Sequence, residues 1–109
     1  MSLTVNLYYT GEHGSAREFV REMEGSGIAA AIRAESGNEK YDYFQSLKDP
    51  ETILLIDQWR DQKALDDHHA SPMMAQLAAL RDKYNLHMRV ERYRDAEENP
   101  ADEAFMRKQ

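Results

Sequence analysis

The side chains with the most chemical reach in this chain fall in one stretch, Ile53–Met74. Asp57 and Trp59 are two residues apart, so in an extended segment a carboxylate and an indole project from the same face. His68 continues the stripe begun by Ala64 and Leu65, placing an imidazole where a helix would otherwise turn a methyl group inward. An imidazole in that position can exchange a proton near neutral pH, and a carboxylate within reach, with Asp57 the candidate, would fix its tautomer. On pattern alone, a partly buried histidine that only bonds a backbone carbonyl is the simpler reading. His69 points about 100° away around the helix, so one of the two histidines is expected in water.

Adjacent histidines diverge, whereas residues three or four apart on a helix converge, and His13 and His87 stand alone, so no metal is expected. Glycine-rich phosphate loops, dinucleotide fingerprints and G-x-S-x-G elbows are absent, which leaves a nucleotide or flavin cofactor without support. With no cysteine, disulfides, thiolate metal sites and cysteine nucleophiles are excluded. Trp59, Tyr41, Tyr43, Phe44, Tyr8, Met73 and Met74 have flat or polarizable surfaces suited to an aromatic ligand, although strand and helix periods account for Phe44 and the methionines as ordinary core. Asn6 and Tyr8 are polar groups on a strand read as largely buried, and are candidates to orient a hydroxyl or carbonyl.

The elements that must position these groups are legible in the same periodicities. Leu3, Val5, Leu7 and Tyr9 alternate with polar or smaller residues as in a strand, closed by Gly11 and Gly14. Ser15 and Glu18 have capping-box spacing, predicting a helix from Ala16 that breaks or kinks at Gly25 and Gly27 and ends around Gly37. Lys40–Leu47 and Thr52–Trp59 read as a hairpin across the turn Lys48–Glu51, with Tyr41, Tyr43 and Leu47 on one face of the first strand. Asp61 caps the next helix, which restarts at Ser71-Pro72 and carries Met73, Leu77, Leu80 and Tyr84 on one side. Leu86–Tyr93 alternates again as a fourth strand. The order βαββαβ predicts an α+β, ferredoxin-like fold: a four-stranded antiparallel sheet with helices on one face.

At 109 residues the chain holds one such domain, expected over residues 1–93, followed by a charged tail over 94–109. Leu54, Leu55, Ile56 and Trp59 put large apolar groups on both sides of the sheet, while the helices cover one, so a homodimer packed sheet to sheet is expected. Twenty acidic against fourteen basic side chains, net −6 with no basic cluster, argue against nucleic acid or an anionic membrane as partner. The N-terminal residues show neither a signal peptide nor a membrane span, and a cytoplasmic location is expected.

Residues Val5 to Tyr93 resemble the antibiotic biosynthesis monooxygenase domain, in particular its small quinol monooxygenase members. The resemblance rests on Gly37, Tyr41 and Tyr43 before the hairpin, Asp57 and Trp59 at the strand end, and Ala64, Leu65, His68, Ser71 and Pro72 in the helix that follows. It implies a ferredoxin-like domain dimerised into an α+β barrel, using no metal, flavin or other cofactor to oxidise a small quinol or hydroxylated aromatic with dioxygen. On that reading His68 orients or deprotonates the ring hydroxyl, Asp57 supports it, Trp59 and Tyr43 wall the ring, and Asn6 binds the developing oxyanion. Tyr41, Tyr8, His69 and Met73 complete the expected substrate surface. Relatives that isomerise or bind small oxygenated metabolites are the alternative. The haem-degrading branch is disfavoured, because Leu7 and Ala78 stand where it carries asparagine and histidine.

Overall fold

Four eight-residue strands, β1 (Leu3–Thr10), β2 (Asn38–Gln45), β3 (Thr52–Trp59) and β4 (His87–Arg94), form one antiparallel sheet of order β2-β3-β1-β4 in the computed structural model, which describes residues 1–107. Helices α1 (Ser15–Gly25) and α2 (Ile28–Arg33) connect β1 to β2, and α3 (Gln62–His69) and α4 (Met73–Lys83) connect β3 to β4. This is the ferredoxin-like α+β arrangement, with each crossover helix broken in two. Gly27, left-handed at φ 85°, makes the first break. Residues 95–107, beyond β4, are exposed and turn through a short 3-10 helix at Pro100–Phe105. Among the described residues no helix is long and apolar enough to cross a membrane.

Alternation in β1 decides which side chains meet the helices. Leu3, Val5, Leu7 and Tyr9 are buried against them, whereas Thr4, Asn6, Tyr8 and Thr10 lie half-buried on the opposite face. The register carries this phase across the sheet: Val5 pairs with Asp57 and Arg92, and Asp57 pairs with Tyr41, so these four residues form one row on the helix side. The core behind that face is continuous, from Phe19, Met23 and Ile32 under α1 and α2 to Leu65, Leu77 and Leu80 under α3 and α4.

Several local expectations are corrected. The reciprocal Ser15–Glu18 cap does not form, because the helix starts at Ser15 itself; Ser15 Oγ accepts from the Glu12 N–H (3.1 Å) and the Glu51 carboxylate accepts from the Gly14 N–H (3.1 Å). Ser71 gives no side-chain cap either, since Pro72 occupies the cap position and Ser71 Oγ is buried without a partner. Leu47 is not on the strand but fully exposed in the turn that follows β2. Asp61 does cap α3, its Oδ1 accepting from the Ala64 N–H at 2.9 Å.

Gly37 is not a helix C-terminal residue, since α2 has already ended at Arg33. It holds a left-handed turn (φ 85°) pressed against α3, where an added Cβ would lie 2.5 Å from that of Ala64. Its carbonyl accepts from the Arg60 N–H at 2.8 Å. Only glycine satisfies both the φ and the close approach. That contact brings the residues just before Gly37 against α3.

Candidate active site

His68 sits in the last turn of α3, 4% exposed, although its neighbours on the helix stripe are Ala64 and Leu65. Three contacts explain how an imidazole is accommodated there. The Trp59 ring, buried completely at the end of β3, stacks on it with centroids 4.7 Å apart and planes 26° from parallel. Glu35, in the α2–β2 turn held by Gly37, places Oε2 2.6 Å from His68 Nδ1. A carboxylate at that nitrogen takes the Nδ1–H and leaves Nε2 as the proton acceptor. The third contact is with a cavity of about 260 Å³ between the sheet and α3/α4, which His68 lines.

The cavity walls are mostly apolar, with Val5, Leu7 and Leu55 on the sheet and Leu65, Met74 and Leu77 on the helices. Its polar groups are few and placed at particular points. Asp57 projects into it from β3, 6% exposed, and burial raises its carboxyl to about 7 from the ordinary 3.8. The adjacent Trp59 indole offsets part of that rise, yet Asp57 Oδ1 and Trp59 Nε1 are both buried without a hydrogen-bond partner, so the two are neighbours rather than a formed pair. Tyr41, in the same row of the sheet, accepts a long hydrogen bond from the Tyr43 hydroxyl (3.4 Å), which leaves its own O–H free to donate. Burial pushes the Tyr41 phenol far up and keeps it protonated. On the helix side Arg81 donates from Nη2 to the Tyr9 hydroxyl at 2.9 Å, while its Nε is buried without a partner.

Of the residues singled out in the sequence, the structure brings Asp57, His68, His69, Tyr41 and Met74 to the cavity. His69 is exposed at its edge, its ring centroid 5.7 Å from that of His68, and burial lowers its pKa. Trp59 lies behind His68, where it positions the imidazole and does not wall the cavity. Tyr43 packs edge-on against Phe19 and Tyr41 in the core, and Met73 is half-buried on it, while Met74 takes the lining position. Asn6 and Tyr8 are on the opposite side of the sheet, because even-numbered residues of β1 point away from Asp57. The carboxylate expected at His68 from Asp57 comes from Glu35. Glu35 and the two arginines of the lining, Arg81 and Arg92, carried no sequence signal; the left-handed Gly37 was the nearest pointer to the first.

Residues 2–80 match the antibiotic biosynthesis monooxygenase family. The chain belongs to that family. It is 30% identical over 67 residues to "Putative monooxygenase YcnE" of Bacillus subtilis, a span covering 62% of this chain and 68% of the relative. A crystal structure from Pseudomonas aeruginosa, 29% identical, superposes with a TM-score of 0.72 over 87% of this chain and 95% of that one. SnoaB of Streptomyces nogalater, a cofactor-independent oxygenase, shares the fold at 17% identity, with a TM-score of 0.74 over 91% of this chain and 97% of its own. The match to the antibiotic biosynthesis monooxygenase family takes in Glu35, Asp57, Trp59 and His68 and ends one residue before Arg81. The inner end of the cavity therefore lies within the family's span, and the side formed by Arg81 and β4 lies outside it.

Proposed function

We propose that this chain is a cofactor-independent monooxygenase that oxidises a small quinol or hydroxylated aromatic with dioxygen. The observation that carries the reading is His68, stacked on Trp59, bonded through Nδ1 to Glu35 and lining a small apolar cavity beside Asp57 and Tyr41. The SnoaB likeness supports the same class of chemistry through the shared fold, and family membership supports it at the level of monooxygenation.

In this mechanism His68 Nε2 removes the proton of a ring hydroxyl, and Glu35 stabilises the imidazolium. The phenolate passes an electron to dioxygen, and the two radicals join at a ring carbon as a peroxide. His68 returns its proton to the outer peroxide oxygen, while the Tyr41 O–H donates to the ring oxygen as it carries charge. Asp57, with a carboxyl near 7, is matched to removing the ring C–H proton. That electron pair forms the new C=O, the O–O bond breaks, and the departing hydroxide takes the proton from Asp57 as water. One oxygen atom enters the ring, the other leaves as water, and the substrate supplies all the electrons.

Assembly belongs to the same proposal. The sheet face without helices carries Phe44 and Tyr93, each about half exposed (45% and 51%), together with Leu54 and Ile56. Asn6 Oδ1 on that face is buried and unpartnered. A second copy packed on it would cover the apolar groups and offer Asn6 a donor. Sedimentation at micromolar concentration is expected to give twice the chain mass, and a monomer would remove this part of the reading.

The test of the reaction is oxygen uptake by purified protein with chelator present and single-ring quinols supplied, with the product analysed after ¹⁸O₂ labelling. The expected result is uptake above the spontaneous rate and one labelled oxygen in the quinone. Saturable binding with uptake at the spontaneous rate would instead favour an isomerase or binding role.

A further inference from the structure

The cavity carries the opposite charge balance to the chain around it. The protein has a net charge of −6, yet two guanidinium groups, Arg81 and Arg92, line this cavity against one carboxylate, Asp57, among the described residues. Neither arginine is neutralised by an ion pair among the described residues, whereas Arg21, Arg33 and Arg89 each hold a glutamate. Both are instead held by neutral partners. Arg81 donates to the Tyr9 hydroxyl at 2.9 Å and lies over that ring, and Arg92 donates to Gln62 Oε1 at 2.8 Å. Arg81 also keeps its Nε–H buried and unpartnered, a donor that the protein does not satisfy. Arg81, held with a free donor and no carboxylate at ion-pair distance though near enough to Asp57 to offset part of its raised pKa, and Arg92, exposed at the cavity's edge, are both available to a carboxylate.

Placement in the sheet gives the distance between this charge and the chemistry. Asp57 and Arg92 belong to the same row, separated by β1, with Val5 between them. Two strand spacings are about 10 Å. One end of the row handles a hydroxyl through His68, Asp57 and Tyr41, the other presents a guanidinium, and apolar side chains floor the space between. At about 260 Å³ the cavity lies just below the roughly 300–1,000 Å³ usual for small-molecule sites, a size suited to a single-ring ligand.

We propose that the substrate is a single-ring hydroxyaromatic bearing a carboxylate, its hydroxyl at the His68 end and its carboxylate held by Arg81 and Arg92. This rests on the reading of His68 as the hydroxyl-handling group. The arginines lie beyond residues 2–80, the part of the chain that matches the family.

The experiment is calorimetric binding of 4-hydroxybenzoate against 4-hydroxybenzamide, which has the same shape and no charge, to the wild type, Arg81→Gln and Arg92→Gln. A charge-assisted contact predicts that the acid binds the wild type at least about tenfold more tightly than the amide, an advantage that shrinks as salt is raised. Arg81→Gln is expected to abolish the difference and Arg92→Gln to reduce it by about half or more on a logarithmic scale. Equal affinity of the wild type for acid and amide, or an acid preference unchanged in Arg92→Gln and in a folded Arg81→Gln, overturns the proposal. If Arg81→Gln does not fold, the wild-type comparison and Arg92→Gln decide it. Binding is read without turnover, so an acid preference with no oxygen uptake would keep this proposal and remove oxygenation. Oxygen uptake with neutral quinols and no acid preference would do the reverse.

Discussion

The two helix pairs cover the same face of the sheet in different ways. Under α1 and α2 the surface is closed: Phe19 and Met23 are wholly buried, Phe19 meets Tyr9, Tyr43 and Tyr84 ring to ring, and Ala29 and Ile32 complete the seal. Under α3 and α4 the facing positions include Asp57, His68 and Arg81, and a cavity remains. Both pairs arise from a helix broken near its middle, so the break alone does not make a site. What differs is the side chains turned inward. Apolar groups interdigitate to crystal-like density, whereas polar groups that lack partners hold neighbours apart and leave room for something that could satisfy them.

Substitutions can sharpen or break that contrast. Phe19→Ala, in the closed half, is expected to cost about 3–5 kcal/mol in urea unfolding, the range for removing a packed aromatic. Leu77→Ala beside the cavity should fall near the lower end of the roughly 2–5 kcal/mol typical of leucine, because one side of it already lacks contacts. Equal penalties for matched changes in the two halves would show the cavity to be collapsed in solution.

Asp57→Asn comes next. In the folded chain the Asp57 carboxyl is raised to about 7 from 3.8, so between those values the folded state keeps a proton that the unfolded state has released. Stability from this group therefore falls as pH rises from 4 to 7 and stays low above. Asparagine should remove that slope and raise stability at pH 8 by roughly 2–4 kcal/mol, read from unfolding midpoints across pH. Glu35→Gln keeps a hydrogen-bond acceptor at His68 Nδ1 but loses the charge, with an expected drop in turnover of about tenfold and little change in stability. The smallest effect is expected from His69→Ala, which is exposed: unfolding free energy within about 0.5 kcal/mol of the wild type.

The strands and the inward stripe of α3 were legible because their periodicities are local. Alternation from Leu3 to Tyr9, the Asp61 cap and the Ala64-Leu65-His68 stripe each act over a few residues. Asn6 and Tyr8 were drawn into the site by their polarity, although the same alternation that buries Val5 and Leu7 sends them to the other face. Register settles it, since Asp57 pairs with Val5 and so shares the odd phase. Glu35 was invisible for a different reason. It meets His68 across 33 positions of sequence, through a turn whose geometry depends on Gly37 pressing on Ala64. Arg81 and Arg92 look like ordinary surface arginines until α4 and β4 are placed on either side of the same space.

The central claim is that His68 is held for proton transfer and not as packing. It is tested most directly by steady-state oxygen uptake of His68→Asn beside the wild type on one quinol, each corrected for spontaneous oxidation and for folded fraction by urea unfolding. The account predicts a fall in turnover of about 10²–10⁴-fold in protein that remains folded. A folded His68→Asn protein consuming oxygen within about twofold of the wild-type rate, well below any general-base contribution, would contradict it.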